Sequence, residues 1–170
     1  KIVDDPVNSY VVMTSVNLAK PDNFSDTAAV LSDYTTYYMS TSHLYLANTI
    51  YEQFLWNSST KTAISKFEYK DGAFSYQTTK KVKGQINDSY YMHEYKGNFA
   101  FVYTDWRNEI STNGICILDK NMNTLGKIDN LGNDETIYAS YYIGSMAYFV
   151  TYRQTAVSYT HLRAHETGRN

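Results

Sequence analysis

Three segments of this chain repeat one pattern: a β-prone run, a tight turn, and a second run rich in Tyr and Val. The copies are residues 36–48, 89–104 and 136–152, and their turns are predicted at Thr41-Ser42, Lys96-Gly97 and Gly144-Ser145. Equivalent glycines lie 47 residues apart at Gly97 and Gly144, and 48 residues apart at Gly84 and Gly132. Self-similarity at such a period is typical of proteins built from repeated supersecondary units.

The middle repeat gives the clearest unit of four strands. We predict these strands at 74–82, 89–95, 98–103 and 114–119, with Gly97 at the position of a hairpin turn that needs a positive φ. The strand at 98–103 is apolar on both faces, which favours a sheet covered on both sides. Four-stranded units of about this length are typical of the blades of a β-propeller.

The flanking repeats fit the same frame. The earlier unit has predicted strands at 27–32, 36–40, 43–47 and 62–69, and the later one at 124–128, 136–143 and 145–152. Residues 10–18 are predicted to be the last strand of a preceding blade. The sequence thus predicts an all-β partial β-propeller over residues 1–155. Its blades are placed at 27–69, 73–120 and an incomplete 123–155, as a fragment of a larger ring.

Several short motifs carry a family resemblance. They are Ser15-Val16-Asn17-Leu18, Thr62-Ala63-Ile64-Ser65-Lys66-Phe67, Ile117-Leu118-Asp119, Leu125-Gly126-Lys127-Ile128, Glu135-Thr136-Ile137-Tyr138, and the run 147–155, which reads AYFVTYRQT. Over residues 8–155 the chain resembles secreted bacterial and archaeal proteins with a C-terminal β-propeller domain distantly related to WD repeats. The resemblance implies a secreted or cell-envelope protein, and it names no ligand.

Residues 156–170 depart from that pattern. The segment does not continue the strand frame and resembles a translated sequencing adapter, so we interpret it as a non-native tail. His161 and His165 lie within it at a spacing that could place two metal ligands on one helix face. Because of the origin inferred for the tail, no metal site is predicted there.

Composition limits the partners and cofactors. The formal net charge is −2, which gives no electrostatic case for binding nucleic acid. The single cysteine, Cys116, lies in an apolar run and is predicted to be a buried strand residue. The loop at 129–135 is rich in oxygen donors but has no EF-hand spacing, so it is interpreted as a connecting loop. No metal and no cofactor are predicted.

Aromatic residues in two long connections are the candidate ligand-binding residues. Trp56 lies in the predicted loop 51–60, together with Tyr51, and Trp106 lies in the predicted loop 105–113, together with Arg107. Long loops on a rigid scaffold often carry binding sites, and exposed aromatic rings can stack on sugars or clamp a peptide. The alternative interpretation is that each Trp covers the outer edge of its own blade.

Three functions stay open at this level. The first is a non-catalytic binding or scaffold module at the cell surface, with a surface glycan, a peptide or an envelope protein as its partner. In that case it would meet a membrane only through an anchor outside these residues. The second is part of a propeller-type hydrolase or lyase whose catalytic residues lie in other blades, and no catalytic residue is predicted here. The third is a structural spacer, because fold alone does not select among them.

Overall fold

The computed structural model describes residues 9–33, 35–54, 57–107 and 110–153. Apart from one 3₁₀ turn at Ser89–Tyr91, the regular structure of these residues is all β. The strands are β1 (Tyr10–Val16), β2 (Phe24–Leu31), β3 (Thr35–Met39), β4 (His43–Phe54), β5 (Asn57–Lys70), β6 (Ala73–Lys83), β7 (Met92–Tyr95), β8 (Asn98–Arg107), β9 (Ile110–Leu118), β10 (Thr124–Leu131), β11 (Thr136–Ile143) and β12 (Met146–Tyr152).

These strands form four antiparallel sheets that follow one another along the chain. The first sheet is β1-β2, the second is β3-β4-β5-β6, the third is β7-β8-β9-β10, and the fourth is β11-β12. Each strand pairs with its sequence neighbours only, so every sheet is a simple meander. The prediction of an all-β fold with four-stranded antiparallel sheets is therefore confirmed.

The grouping of strands into sheets differs from the prediction by one strand. Residues 74–82 were predicted to open the second blade, but β6 is hydrogen bonded to β5 and closes the second sheet. The cause is the turn at Asp71 and Gly72, which have φ values of 52° and 81° and join β5 to β6 as a tight hairpin. Two positive φ values suit the twist of a two-residue hairpin. In the same way β10 closes the third sheet instead of opening a further one.

The prediction of long loops at 51–60 and 105–113 is also wrong. Residues 51–54 and 57–60 extend the β4–β5 ladder, and residues 105–107 and 110–113 extend the β8–β9 ladder. Neither segment contains Gly or Pro, so nothing in the local sequence interrupts a strand. Pairing also satisfies backbone donors and acceptors that a loop would leave to water. At 89–91, in contrast, the predicted strand is a 3₁₀ turn capped by the Asp88 carboxylate, which accepts the Tyr90 N–H at 3.0 Å.

Two apolar cores hold neighbouring sheets together. The larger core centres on the second and third sheets and reaches the fourth; its fully buried side chains include Tyr45, Ile64, Phe99, Phe101 and Leu118. A smaller core, built on Met13, Leu44, Leu46 and Phe67, lies between the first and second sheets. The second sheet is therefore covered on both faces, as the two-sided apolar pattern of a stacked sheet requires.

Candidate functional site

Each of the three tyrosine pairs in the sequence lies in the first strand of a sheet or in the turn that leads into it. Tyr37-Tyr38 is in β3, Tyr90-Tyr91 is in the 3₁₀ turn before β7, and Tyr141-Tyr142 is in β11. β3, β7 and β11 are the first strands and edge strands of the second, third and fourth sheets. The three edges meet at a cleft of about 370 Å³, called here the tyrosine cleft. Its lining residues are Tyr37, Tyr38, Met39, Ser89, Tyr90, Met92, His93, Ser140, Tyr141 and Tyr142.

The second tyrosine of each pair is hydrogen bonded to a neighbouring sheet or to the turn that leads into it. The Tyr38 hydroxyl accepts the N–H of Glu94 at 3.1 Å. The Tyr91 hydroxyl donates to the Ile137 carbonyl at 2.8 Å, and the Tyr142 hydroxyl donates to the Tyr91 carbonyl, also at 2.8 Å. These bonds fix the positions of the three edges relative to one another, and they use the polar end of an otherwise apolar ring.

The first tyrosine of each pair is exposed. The relative exposure of the residue is 61% for Tyr37, 76% for Tyr90 and 67% for Tyr141. In β3 and β11 neighbouring residues point to opposite sides, so anchoring the second ring of the pair turns the first ring outward. In the 3₁₀ turn, Tyr90 is exposed beside the buried Tyr91. The result is a set of exposed aromatic rings on a backbone that the anchored partners hold in place.

One ionisable side chain that is not a tyrosine lines the cleft among the described residues. The His93 ring stacks on the Tyr142 ring with a centroid distance of 4.9 Å and an interplanar angle of 15°. Burial lowers the pKa of His93, although the nearby Glu94 carboxylate acts in the opposite direction. Burial also raises the pKa of Tyr142 well above its usual range. At neutral pH the wall of the cleft is therefore uncharged, aromatic and supplied with hydroxyl groups.

The structure describes three of the four ligand-binding residues predicted from the sequence: Tyr51, Trp106 and Arg107. Tyr51 lies opposite Thr60 in the β4–β5 ladder and is 73% exposed. Arg107 is at the end of β8, with Nε 3.0 Å from Asp105 Oδ2. Trp106 is 46% exposed and precedes Arg107 in the same strand, so the two side chains point to opposite faces of the third sheet. Trp56 lies outside the described residues.

The tyrosine cleft was missed at the sequence level although a signal was present. All three Tyr-Tyr dipeptides lie within the repeated segments, 53 and 51 residues apart. Recurrence of one dipeptide at the repeat period indicates an equivalent role in each repeat. The convergence of the three edges, however, depends on how the sheets stack, and no local pattern encodes that.

Among the described residues, no three His, Cys, Asp or Glu side chains are grouped so that they could hold a metal ion. In the same part of the chain, no helix has the length and apolar character needed to cross a membrane. Cys116 is buried, and burial raises the pKa of its thiol.

Consecutive antiparallel sheets that are joined by shared apolar cores define a protein built from repeated β-sheets. The model of the beta propeller domain family matches residues 1–156, and the chain belongs to that family. It is 36% identical over 108 residues to an uncharacterized protein of Methanocaldococcus jannaschii, covering 62% of this chain and 16% of that protein. It is 33% identical over 96 residues to an uncharacterized protein of Archaeoglobus fulgidus, covering 56% of this chain and 14% of that protein. The chain thus spans a small part of these relatives, and no solved structure matches it significantly.

Proposed function

We propose that the chain is a non-catalytic binding module of a secreted or cell-envelope protein and that the tyrosine cleft takes an uncharged saccharide chain. The observation that carries the proposal is the repeated division of labour within the tyrosine pairs. In each pair one hydroxyl is anchored to the neighbouring sheet and the other ring is exposed. Exposed apolar area on a rigid edge costs solubility, so its repetition on three sheets favours a binding role.

The chemistry of the cleft favours a saccharide. Aromatic rings offer flat apolar faces for the C–H faces of sugar rings, and the tyrosine hydroxyls add hydrogen-bonding groups at the rim. The Ser89 and Ser140 side chains also line the cleft. A volume of about 370 Å³ is within the usual range for small-ligand sites, so we expect it to hold a few sugar units of a longer chain.

The location outside the cell rests on the resemblance of residues 8–155 to secreted propeller proteins. In a closed propeller the blades surround a central channel, and leading edges of neighbouring sheets converge there. A ligand bound in the tyrosine cleft would then lie at the mouth of such a channel. Attachment to a membrane would require an anchor outside these residues.

Affinity electrophoresis of the full chain tests this function. Gels would contain hydroxyethyl cellulose, glycol chitin or mannan as uncharged probes, and the measured quantity is the retardation of the protein. We expect at least one probe to retard the protein, and the double variant Tyr90→Ala/Tyr141→Ala to lose that retardation. Tyr10→Ala is the matched control, because Tyr10 is 68% exposed on the first sheet and does not line the cleft.

Two outcomes would overturn the proposal. One is the absence of retardation with all three polysaccharides while the chain has the circular dichroism of a β protein. The other is an equal loss of retardation in Tyr10→Ala and in the double variant, which would mean that exposed tyrosines act without regard to place. Retardation that only the cleft variant loses supports the proposed site.

A further inference from the structure

Three lysines lie on one face of the β5–β6 ladder. Lys61 is directly opposite Lys83, and Lys81 precedes Lys83 by two residues on the same strand. Residues two apart on a strand share a face, as do residues directly opposite each other. Like charges in such positions repel each other and destabilise the sheet, so this arrangement requires compensation by negative charge.

The protein supplies part of that compensation. Lys61 Nζ lies 2.6 Å from Glu52 Oε2, and Lys83 Nζ lies 2.9 Å from Asp105 Oδ2. The Asp105 side chain is 4% exposed, which makes it a fixed, buried acceptor. Lys81 is exposed and makes no ion pair with any of the described residues within 4.0 Å.

Arg107 faces this group of lysines from the third sheet. Its Nε donates to Asp105 Oδ2 at 3.0 Å, and its side chain is 70% exposed. Arg107 and the three lysines line one groove of about 300 Å³, called here the basic groove, together with Ser59, Thr60, Val82 and Asp105. The buried carboxylate therefore holds one lysine and one arginine at the same groove, and both cations remain partly open to a ligand.

We propose that the basic groove binds a phosphate group. The four cations of the groove face three carboxylates: Glu52, Asp105 and Asp129, the last 3.9 Å from Lys83 Nζ and shared with Lys127 outside the groove. The groove therefore keeps an excess of positive charge in a chain whose net charge is −2. A phosphate monoester carries a charge of about −1.5 to −2 at pH 7 and has three strong acceptor oxygens. Arginine suits phosphate by its paired donors, and lysine binds it as a point charge. The site is separate from the tyrosine cleft and shares no lining residue with it.

Isothermal titration calorimetry of the full chain with inorganic phosphate tests whether the basic groove binds phosphate. A titration with NaCl at matched ionic strength is the reference. We expect saturable heat with phosphate and none with NaCl. Lys81→Gln and Arg107→Gln should each weaken binding about tenfold, the loss of one charge-assisted hydrogen bond. Lys70→Gln is the matched control, because Lys70 is an exposed lysine at the other end of β5.

A second measurement separates a ligand role from a structural one. In phosphate-free buffer Lys81→Gln should melt at the same temperature as the unmodified chain or higher, because the substitution removes a repulsive charge. A lower melting temperature would mean that Lys81 serves the fold. Equal binding of phosphate by the Lys81→Gln and Lys70→Gln variants would overturn the proposal.

Phosphate could be presented in solution or on a lipid headgroup, and a vesicle experiment distinguishes the two. Flotation would compare phosphatidylcholine vesicles with and without phosphatidate. Flotation with phosphatidate alone, lost in Arg107→Gln, assigns the groove to a lipid headgroup. Heat with inorganic phosphate and no flotation assigns it to a soluble phosphate ligand. The absence of both responses overturns the proposal.

Discussion

The Tyr45 ring lies flat against the Phe99 ring, with centroids 3.9 Å apart and planes 12° apart. Tyr45 belongs to the second sheet and Phe99 to the third, and both side chains are fully buried. The Tyr45 hydroxyl donates to Glu94 Oε2 at 2.9 Å, and His43 Nδ1 lies 3.1 Å from the same oxygen. The stacked rings of Tyr45 and Phe99 and the hydrogen-bonded carboxylate of Glu94 therefore join the second and third sheets.

Phe99→Ala should destabilise the chain by about 3–5 kcal/mol, the usual cost of truncating a buried phenylalanine. Tyr45→Phe keeps the stack but leaves the Glu94 carboxylate one donor short, and it should cost about 1–3 kcal/mol. Urea denaturation followed by circular dichroism measures both. If Phe99→Ala unfolds at the same urea concentration as the unmodified chain, the second and third sheets do not pack in solution as described.

Gly114→Ala should destabilise the third sheet by about 1–3 kcal/mol, because a methyl group there would overlap the buried Tyr103 ring and the Ile128 carbonyl. Gly126→Ala is the matched control: Gly126 lies on the neighbouring strand, and a methyl group there would meet no atom within 4 Å. Thermal melting of the two variants compares them. A larger loss for Gly126→Ala than for Gly114→Ala would contradict the position of Tyr103.

The free energy of unfolding should decrease as the pH is lowered, and part of this decrease should depend on His93. Burial holds its pKa below the ordinary value, so the unfolded chain takes up a proton at a higher pH than the folded chain. The contribution of this group to stability is therefore fully present above about pH 6.5, its unfolded pKa, and is lost below that as the pH falls through the lower pKa of the folded chain. His93→Phe should retain stability better than the unmodified chain between pH 7.5 and pH 5.5 in urea titrations. Parallel pH profiles for the two proteins would show that His93 does not carry the effect.

The pairing of two strands could be predicted from the sequence where a turn residue with a positive φ marks the hairpin between them. Lys96 and Gly97 have φ values of 51° and 80° and join β7 to β8, as predicted from the Gly position. Asp71-Gly72 has the same turn chemistry, and its hairpin places β6 in the second sheet, one strand away from the predicted grouping. This hairpin is therefore encoded in the local sequence, by the same kind of signal as the Lys96-Gly97 turn.

The candidate sites could be predicted less well, for a different reason. Strand alternation alone places Trp106 and Arg107 on opposite faces, once residues 105–107 are known to be strand and not loop. The convergence of Tyr37, Tyr90 and Tyr141 depends on the stacking of three sheets. Long-range packing of this kind leaves no periodic signal in the sequence, so it required the structure.

The outer face of the fourth sheet should make the chain self-associate. Met146, Tyr148, Val150 and Tyr152 alternate along β12 and are 47–59% exposed. Burial of each large apolar side chain is worth about 1.5–3 kcal/mol, so this face gains free energy by packing on another surface. Among the described residues β12 pairs only with β11, which leaves it an edge strand, and edge strands with apolar side chains promote association.

Light scattering at micromolar concentration should therefore report species larger than a monomer for the full chain. Tyr148→Lys/Val150→Lys should shift the distribution toward the monomer, because charged side chains on an edge strand oppose pairing. The control is Ser75→Lys/Gln77→Lys, which adds the same charge at exposed polar positions of β6. If both double variants reduce association equally, net charge is the cause and not the apolar face. A monomer with a sharp cooperative melt for the unmodified chain would mean that this face needs no partner.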